Sequence, residues 1–346
     1  MADQMSTSNQ RILIVSPSWV GDMVMSQTLY SLLKSQDDSV QIDVMAPAAS
    51  KPLVSRMPDV SQSVLFDVDH GEIRIGYRRR FARALRANRY DRAIVLPNSL
   101  KSALVPYFAR IPQRTGYLGE LRYGLLNDIR RLDKVQSPRM IDRFMRLGMQ
   151  PGETLPEHQQ PALSVDEENQ FECVSRLQLD TSVPILGLCP GAEFGDAKRW
   201  PEAHFASLAS AAVKAGMQVW LFGSARDRVL AAEVVSQIDR RQQVNCHNLA
   251  GKTTLLDAID LLKLCHHVVT NDSGLMHIAS AVGCHTVALY GSTSPDFTPP
   301  LSDRAEIIRS TIECSPCFSR ECPLNHKNCL NELLPSTVIP LLDLPA

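Results

Sequence analysis

The sequence predicts an α/β protein with two parallel sheets, one in each half of the chain. Short runs of β-branched and other apolar residues alternate with longer helical patterns through both halves, which is typical of parallel sheets. The 346 residues exceed the usual size of a single domain. A segment rich in Pro, Glu and Gln, residues 149–169, separates the halves and indicates a linker. We therefore predict an N-terminal domain over 1–160 and a C-terminal domain over 161–346, whose last helix could pack back on the first domain.

Each strand is predicted by a short apolar run, and each helix by a longer pattern between turn residues. In the first half the predicted strands are 11–16, 41–46, 63–67 and 92–96, and the predicted helices are 22–35, 75–88 and 99–110. In the second half the predicted strands are 185–189, 218–222, 266–270 and 285–290, and helices are predicted in WPEAHFASLA, ARDRVLAAEVV, TTLLDAIDLL and 275–281. Because ligands in such folds bind beyond the carboxyl ends of the strands, we expect a site in a cleft between the domains.

Composition and charge narrow the class of protein. No window approaches the roughly 18 to 20 apolar residues of a membrane span, and the polar start lacks the layout of a signal peptide, so we expect a soluble, cytoplasmic protein. Residues 1–150 carry 22 Lys/Arg against 14 Asp/Glu, a net charge of +8, whereas the remainder has a net charge of −9. The N-terminal half is therefore expected to meet something anionic. Its densest basic segment, residues 74–89, fits a solvated helix face as well as a binding surface, and no nucleic-acid-binding module accompanies it.

The segment TNDSGLMHIASA in the C-terminal half is a candidate anion site. A β-branched strand gives way to Asn271, Asp272, Ser273 and Gly274, and a helix that includes His277 follows at once. Unpaired N–H groups at a helix N-terminus bind phosphate well. Asp272 or Ser273 could equally serve only as an ordinary N-cap.

A second candidate turn follows the first strand, in SPSWVGDMVMSQ. Gly21 permits a tight turn, and Asp22 lies where the next helix should begin. The absence of GxGxxG from this turn argues against a nicotinamide or flavin enzyme. Asp22 is either a helix cap or a candidate general base, and the helix N-terminus favours its ionised form.

Three further turns of the C-terminal half carry polar residues. Lys198 lies in the loop CPGAEFGDAKRWP, where it could neutralise a diphosphate, with Arg199 as its competitor. Asp227 follows the turn FGS and could accept hydrogen bonds from a ribose or simply cap its helix. The GKTT segment is not a Walker motif, because Cys246 stands where the upstream glycine is required.

The C-terminal region ECSPCFSRECPLNHKNCL contains four of the nine cysteines. Cys314, Cys317, Cys322 and Cys329 could form a tetrahedral zinc site. Their spacing is tighter than that of a usual zinc ribbon, so reduced thiols that pack a terminal loop are the favoured interpretation.

These motifs, in this order, resemble the ADP-heptose:lipopolysaccharide heptosyltransferases, glycosyltransferase family 9. The resemblance spans nearly the whole chain, and WVGD and PGAEFG…KRWP are most similar to the heptosyltransferase II branch. It implies a GT-B fold with two Rossmann-like domains, a Gram-negative source, ADP-L-glycero-D-manno-heptose as the donor, heptosyl-Kdo2-lipid A as the acceptor, and inversion at the transferred anomeric carbon. It also implies contact with the cytoplasmic face of the inner membrane and no role for nucleic acid.

By the same resemblance, Asp22 is the general base and Lys198 binds the donor phosphates. Asp272 holds the sugar in the donor-binding turn with Ser273, Gly274 and His277. Asp227 would bind the ribose and Thr253 the adenine. No metal or cofactor is required, because a helix dipole and a lysine can neutralise the leaving diphosphate.

Three alternatives remain open at this point. The enzyme could transfer heptose to another position of the lipopolysaccharide core, or it could be a nucleotide-sugar epimerase. A non-enzymatic alternative is an interaction protein that binds a nucleotide or zinc through its cysteine-rich tail.

Overall fold

The computed structural model describes residues 10–68 and 71–345. The chain divides into two units, Met1–Gln159 (unit 1) and Gln160–Ala346 (unit 2). Each unit contains a six-stranded sheet in which every neighbouring pair of strands is parallel. The predicted α/β class with two parallel sheets is therefore confirmed.

Unit 1 has six strands and six α-helices among its described residues. In chain order they are β1 Arg11–Val15, α1 Val20–Met25, α2 Gln27–Gln36, β2 Gln41–Ala46, α3 Lys51–Val54, β3 Gln62–Leu65, α4 Ile75–Leu85, β4 Arg92–Val95, α5 Leu104–Ala109, β5 Gln113–Tyr117, β6 Asp128–Arg130 and α6 Met140–Gly148.

Unit 2 repeats the alternation of strands and helices. In chain order its elements are α7 Glu167–Leu177, β7 Ile185–Cys189, α8 Glu202–Lys214, β8 Gln218–Leu221, α9 Arg228–Ser236, β9 Cys246–Asn248, α10 Leu255–Leu262, β10 His267–Asn271, α11 Gly274–Ala281, β11 His285–Tyr290, β12 Ala305–Arg309, α12 Asn328–Asn331 and α13 Pro335–Val338.

The two sheets have the same topology. The strand order is β3-β2-β1-β4-β5-β6 in unit 1 and β12-β11-β10-β7-β8-β9 in unit 2. In both, the first and fourth strands of the unit are neighbours, and the chain winds outward in opposite directions from them. This is the Rossmann strand order, in which ligands bind beyond the carboxyl ends of the two central strands. In unit 2 these strands are β7 and β10.

The central strands β1, β4 and β7 are largely apolar because they are buried on both faces of their sheets. Every residue of β7 is buried, as is every residue of β10. The large side chains of Trp200, Phe205 and Trp220 are at most 1% exposed. The turns that follow these strands are therefore held by a close-packed, rigid core.

The structure corrects several predicted boundaries. The predicted helix 22–35 is two helices, α1 and α2, separated at Ser26, whose Oγ donates to the Met23 carbonyl at 2.7 Å. The last three residues of the predicted linker instead begin α7, because the Asp166 side chain caps this helix by accepting from the Asn169 amide at 3.2 Å.

Four strands were not predicted from the sequence: β5, β6, β9 and β12. Strands β6 and β9 have only three residues each, and β5 is mostly polar. Strands β6, β9 and β12 lie at sheet edges, where the hydrophobic pattern is weakest. Among the helices of the described residues, none has both the length and the apolar character needed to cross a membrane.

Candidate active site

The turn between β10 and α11 presents an uncapped helix N-terminus. Only Asp272 and Ser273 separate the strand from the helix, and no side chain of the described residues caps α11. The Ser273 hydroxyl instead lies 3.4 Å from the Thr270 hydroxyl. The interpretation that Asp272 or Ser273 serves only as an N-cap is therefore wrong. The first-turn amides of α11, beginning at Gly274, keep the N–H groups that suit an anion.

Asp272 is held by two donors that come from distant parts of the sequence. The Lys198 ammonium lies 2.6 Å from Asp272 Oδ2, and the Thr293 hydroxyl donates to the same oxygen at 2.6 Å. Both side chains of the ion pair are largely buried, with 14% of Lys198 and 5% of Asp272 exposed. The loop after β7 therefore places a cation beside the N-terminus of α11. Arg199, its competitor, faces Asp196 at 3.9 Å instead.

Asn271 ties together the three segments that form this part of the site. Its side chain is fully buried at the end of β10. Its Oδ1 accepts from the Trp200 amide at 3.0 Å, and its Nδ2 donates to the Pro190 carbonyl at 2.7 Å. Both ends of the loop that carries Lys198 are thus hydrogen-bonded to the side chain of Asn271 in β10. The sequence placed Asn271 in the polar turn but gave it no role, and Thr293 was not predicted as a site residue.

His277 lies in the second turn of α11 and is 4% exposed. Burial lowers the pKa of its imidazole to about 4, the nearby Asp272 carboxylate opposes this shift, and Lys198 adds to it. The ring is therefore neutral at neutral pH. A neutral imidazole near this ion pair adds a hydrogen-bonding group without adding charge.

Asp227 and Thr253 lie after the neighbouring strands β8 and β9. Asp227 Oδ2 accepts from the Ser224 amide at 2.8 Å and from the Ser224 hydroxyl at 2.7 Å, so the carboxylate does cap its turn. A Cβ at Gly191 would lie 2.5 Å from Asp227 Oδ1, so only glycine leaves room for this carboxylate beside the loop after β7. The Gly251 amide donates to the Gly223 carbonyl at 3.1 Å, which joins the turn before Thr253 to the turn before Asp227.

Asp22 lies in the first turn of α1, after β1 of unit 1, and is half-buried. The N-cap residue of α1 is Trp19, whose side chain makes no capping hydrogen bond. The structure thus places Asp22 at the carboxyl end of a central strand, as the sequence indicated.

The four C-terminal cysteines line one small pocket together with His326. All nine cysteines are free thiols. Across residues 10–68 and 71–345, no group of three or more His, Cys, Asp or Glu side chains is arranged to hold a metal ion. The cysteine-containing loop also contacts the loop that carries Lys198, because the Ala197 amide donates to the Arg320 carbonyl at 3.0 Å and Lys327 pairs with Asp196 at 2.9 Å. The cysteine-containing loop therefore supports the loop that carries Lys198.

Replacing Gly195 by alanine is expected to disturb the Lys198 loop. A Cβ at Gly195 would overlap the Arg320 backbone carbonyl, which cannot rotate away as a side chain could. Such overpacking lowers the free energy of unfolding by about 1–3 kcal/mol. We therefore expect a lower Tm, measured by thermal unfolding, and weaker binding of ADP, measured by calorimetry. Gly76→Ala is the matched control, since a Cβ there meets no atom within 4 Å. Equal Tm values for the two variants would show that the loop is not constrained at Gly195.

Comparison with known proteins adds independent information. The family model described as glycosyltransferase family 9 (heptosyltransferase) matches residues 78–328. Lipopolysaccharide heptosyltransferase 2 of Salmonella typhimurium is 51% identical over 305 residues, which cover 86% of this chain and 88% of that protein. The Escherichia coli K12 protein of the same name is 50% identical with the same coverage.

Solved structures of other proteins resemble this one, including two from E. coli. The structure of E. coli ADP-heptose lipopolysaccharide heptosyltransferase II is 46% identical in sequence with a TM-score of 0.87, and the match covers 96% of this chain and 98% of that one. E. coli heptosyltransferase WaaC with ADP is 19% identical with a TM-score of 0.71 over 96% of this chain and 99% of that one, which shows a shared fold alone.

Proposed function

The chain belongs to glycosyltransferase family 9, the heptosyltransferases, and we propose that it transfers L-glycero-D-manno-heptose from ADP-heptose to the first heptose of Kdo2-lipid A. Its two units with the Rossmann strand order are those of a GT-B enzyme. The observation that carries the proposal is the uncapped N-terminus of α11 beside the Lys198–Asp272 pair. The free N–H groups of α11 and the Lys198 ammonium suit a diphosphate, and the Asp272 carboxylate suits the hydroxyl groups of a sugar.

On the donor side, the amides at Ser273 and Gly274 and the Lys198 ammonium would bind the diphosphate. Charge grows on this diphosphate as the bond to the anomeric carbon breaks, so donors aimed at it lower the barrier more than they strengthen substrate binding. Asp272, already oriented by Thr293, would accept hydrogen bonds from heptose hydroxyls. Asp227 would bind the ribose and Thr253 the adenine, which fits the hydrogen bond that joins their two turns.

On the acceptor side, Asp22 would accept the proton of the attacking hydroxyl. The hydroxyl oxygen forms a bond to the anomeric carbon from the face opposite to ADP, the bond to the diphosphate oxygen breaks, and ADP leaves with that electron pair. A single displacement of this kind inverts the anomeric configuration. A carboxylate that is ionised before the reaction is suited to take up the proton.

We further propose that the transfer needs no metal ion, since Lys198 and the α11 amides supply the neutralising groups. Product formation in excess EDTA should then equal that in buffer alone, with Mg²⁺ giving no more than a small ionic-strength effect. A complete loss of transfer in EDTA, restored by one divalent cation, would contradict this proposal.

The acceptor is an anionic lipid, so the enzyme would work in peripheral contact with the cytoplasmic face of the inner membrane. The excess positive charge of residues 1–150 supports this location. No nucleic acid is expected as a partner.

The decisive experiment is incubation of the purified protein with ADP-heptose and a set of truncated lipopolysaccharide acceptors, followed by mass and linkage analysis. The proposal requires one heptose to be added to the heptose of heptosyl-Kdo2-lipid A. Transfer to another core position would favour the alternative acceptor. Release of an epimerised sugar nucleotide without any acceptor would favour the epimerase.

A further inference from the structure

Unit 1 contains a large cationic cavity that takes no part in the roles assigned above. Its volume is about 640 Å³, and it lies between the C-terminal ends of α4 and α5 and the start of β5. Its lining residues are Arg79, Arg83, Arg86, Tyr107, Phe108, Arg110, Ile111, Pro112 and Arg114. We call this the arginine cavity. It contains five guanidinium groups and no carboxylate.

The positive charge of the arginine cavity is not neutralised within the described part of the protein. Ion pairs involve many other arginines, including Arg11, Arg130 and Arg139, but none of the five that line the cavity among residues 10–68 and 71–345. Arg78 of the same helix behaves differently, since it is buried and donates to the carbonyls of Ile73, Glu72 and Lys101. Helix α4 therefore has one arginine that stabilises the fold and a separate face that attracts anions.

Several of these guanidinium groups are held in place before any ligand binds. Arg86 donates to the Phe108 carbonyl at 2.8 Å, and Arg114 donates to the carbonyls of Ile111 and Leu125 at 2.6 and 2.7 Å. The Arg79 guanidinium lies 5.4 Å from the centre of the Phe108 ring. Arginine side chains fixed in this way lose less conformational entropy when they bind a phosphate. The planar guanidinium group also forms paired hydrogen bonds with phosphate oxygens.

The arginine cavity lies near the amino-terminal ends of the strands of unit 1, whereas Asp22 lies near their carboxyl ends. Ile111 and Pro112 directly precede the first residue of β5, whereas Asp22 follows the last residue of β1. All strands of this sheet are parallel, so these positions are separated by the length of a strand, about 15 Å for five residues. A ligand in this cavity would therefore be distinct from the hydroxyl group that Asp22 would deprotonate.

We propose that the arginine cavity is a membrane-docking site that binds the phosphate headgroups of anionic lipids. This inference rests on the proposed function, in which the acceptor is embedded in a bilayer. Tyr107, at the cavity, is 44% exposed, and a tyrosine with a polar tip on an apolar ring suits a headgroup region. Each basic residue near an anionic bilayer contributes roughly 1 kcal/mol, so five of them give firm but reversible attachment.

The test is flotation of the full-length protein with vesicles that contain neither donor nor acceptor. One set is phosphatidylcholine alone, and the other contains phosphatidylglycerol as well. We expect wild-type protein to bind only the anionic vesicles, less strongly as salt is raised. The Arg79→Ala/Arg83→Ala variant should bind about 30-fold more weakly, which corresponds to roughly 2 kcal/mol for two arginines.

Arg240→Ala/Arg241→Ala in unit 2 is the matched control, because it removes the same charge from exposed positions outside the cavity. It should bind anionic vesicles as the wild type does, and both variants should show the wild-type Tm. Equal losses in the two variants, or equal binding of the wild type to neutral and anionic vesicles, would overturn the proposal. So would tight binding of duplex DNA with no binding to anionic vesicles.

Activity on a lipid-free acceptor oligosaccharide separates this inference from the proposed function. The Arg79→Ala/Arg83→Ala variant should transfer heptose to it as fast as the wild type. If the wild type transfers no heptose to heptosyl-Kdo2-lipid A either, the proposed function fails, whereas the vesicle result still stands.

Discussion

Replacing Asp22 by asparagine is expected to lower kcat by roughly 100-fold to 10,000-fold, the range that general base catalysis supplies. Asparagine has nearly the same shape as aspartate but cannot take up the proton of the acceptor hydroxyl. The affinity for ADP should stay close to that of the wild type, because the proposed donor-binding groups, Lys198 and the α11 amides, belong to unit 2. Steady-state transfer assays and calorimetry with ADP measure the two quantities separately.

Asp91→Asn is a suitable control for this experiment. Asp91 also belongs to unit 1, but it directly precedes β4, at the opposite end of the strands from Asp22, where its carboxylate accepts from the Arg11 amide at 2.8 Å. Asparagine can still accept that hydrogen bond, so turnover should be unchanged. If Asp22→Asn turns over like the wild type, Asp22 has no part in proton transfer. A loss of ADP binding equal to the loss of kcat would instead indicate that the variant is misfolded.

The positions of the candidate turns were predictable because the relevant information is local. The buried central strand β10 has a β-branched run at its centre, and the polar residues Asp272 and Ser273 stand directly after it in the sequence. The edge strands β6 and β12 were missed for the converse reason. They have exposed or half-buried positions throughout, so their sequences carry little hydrophobic pattern.

The contacts that organise the site were not predictable, because they join residues far apart in the sequence. Lys198 and Asp272 are separated by 74 positions, and Thr293 is 21 positions beyond Asp272. Only the neighbouring positions of β7, β10 and β11 in the sheet bring these residues together. The roles of Asp272 and Ser273 as caps or ligands were open for a similar reason. The same residue types serve both purposes, and the free N-terminus of α11 is visible only in the structure.

Replacing Lys198 by alanine is expected to reduce kcat/KM for the donor by roughly 100-fold to 1,000-fold, with a rise in KM as well as a fall in kcat. Two effects add together. The variant loses the cation that would stabilise the leaving diphosphate, and it leaves the Asp272 carboxylate without the ammonium that lies 2.6 Å from it. An unneutralised carboxylate beside a diphosphate repels it. Steady-state kinetics with varied ADP-heptose measures the loss, and Arg199→Ala is the control because Arg199 faces Asp196 instead.

The Lys198→Ala/Asp272→Ala double variant separates these two effects. Removing the carboxylate abolishes the repulsion, so the double variant should bind ADP more tightly than Lys198→Ala does, while its kcat stays low because Asp272 no longer holds the sugar. Such a result requires the two residues to be coupled, as expected for side chains in direct contact. If the single and double variants bind ADP equally weakly, Lys198 acts on the diphosphate without any influence from Asp272. If Lys198→Ala retains the wild-type kcat and KM, the assignment of Lys198 to the donor phosphates is wrong, and the α11 amides must neutralise the leaving group alone.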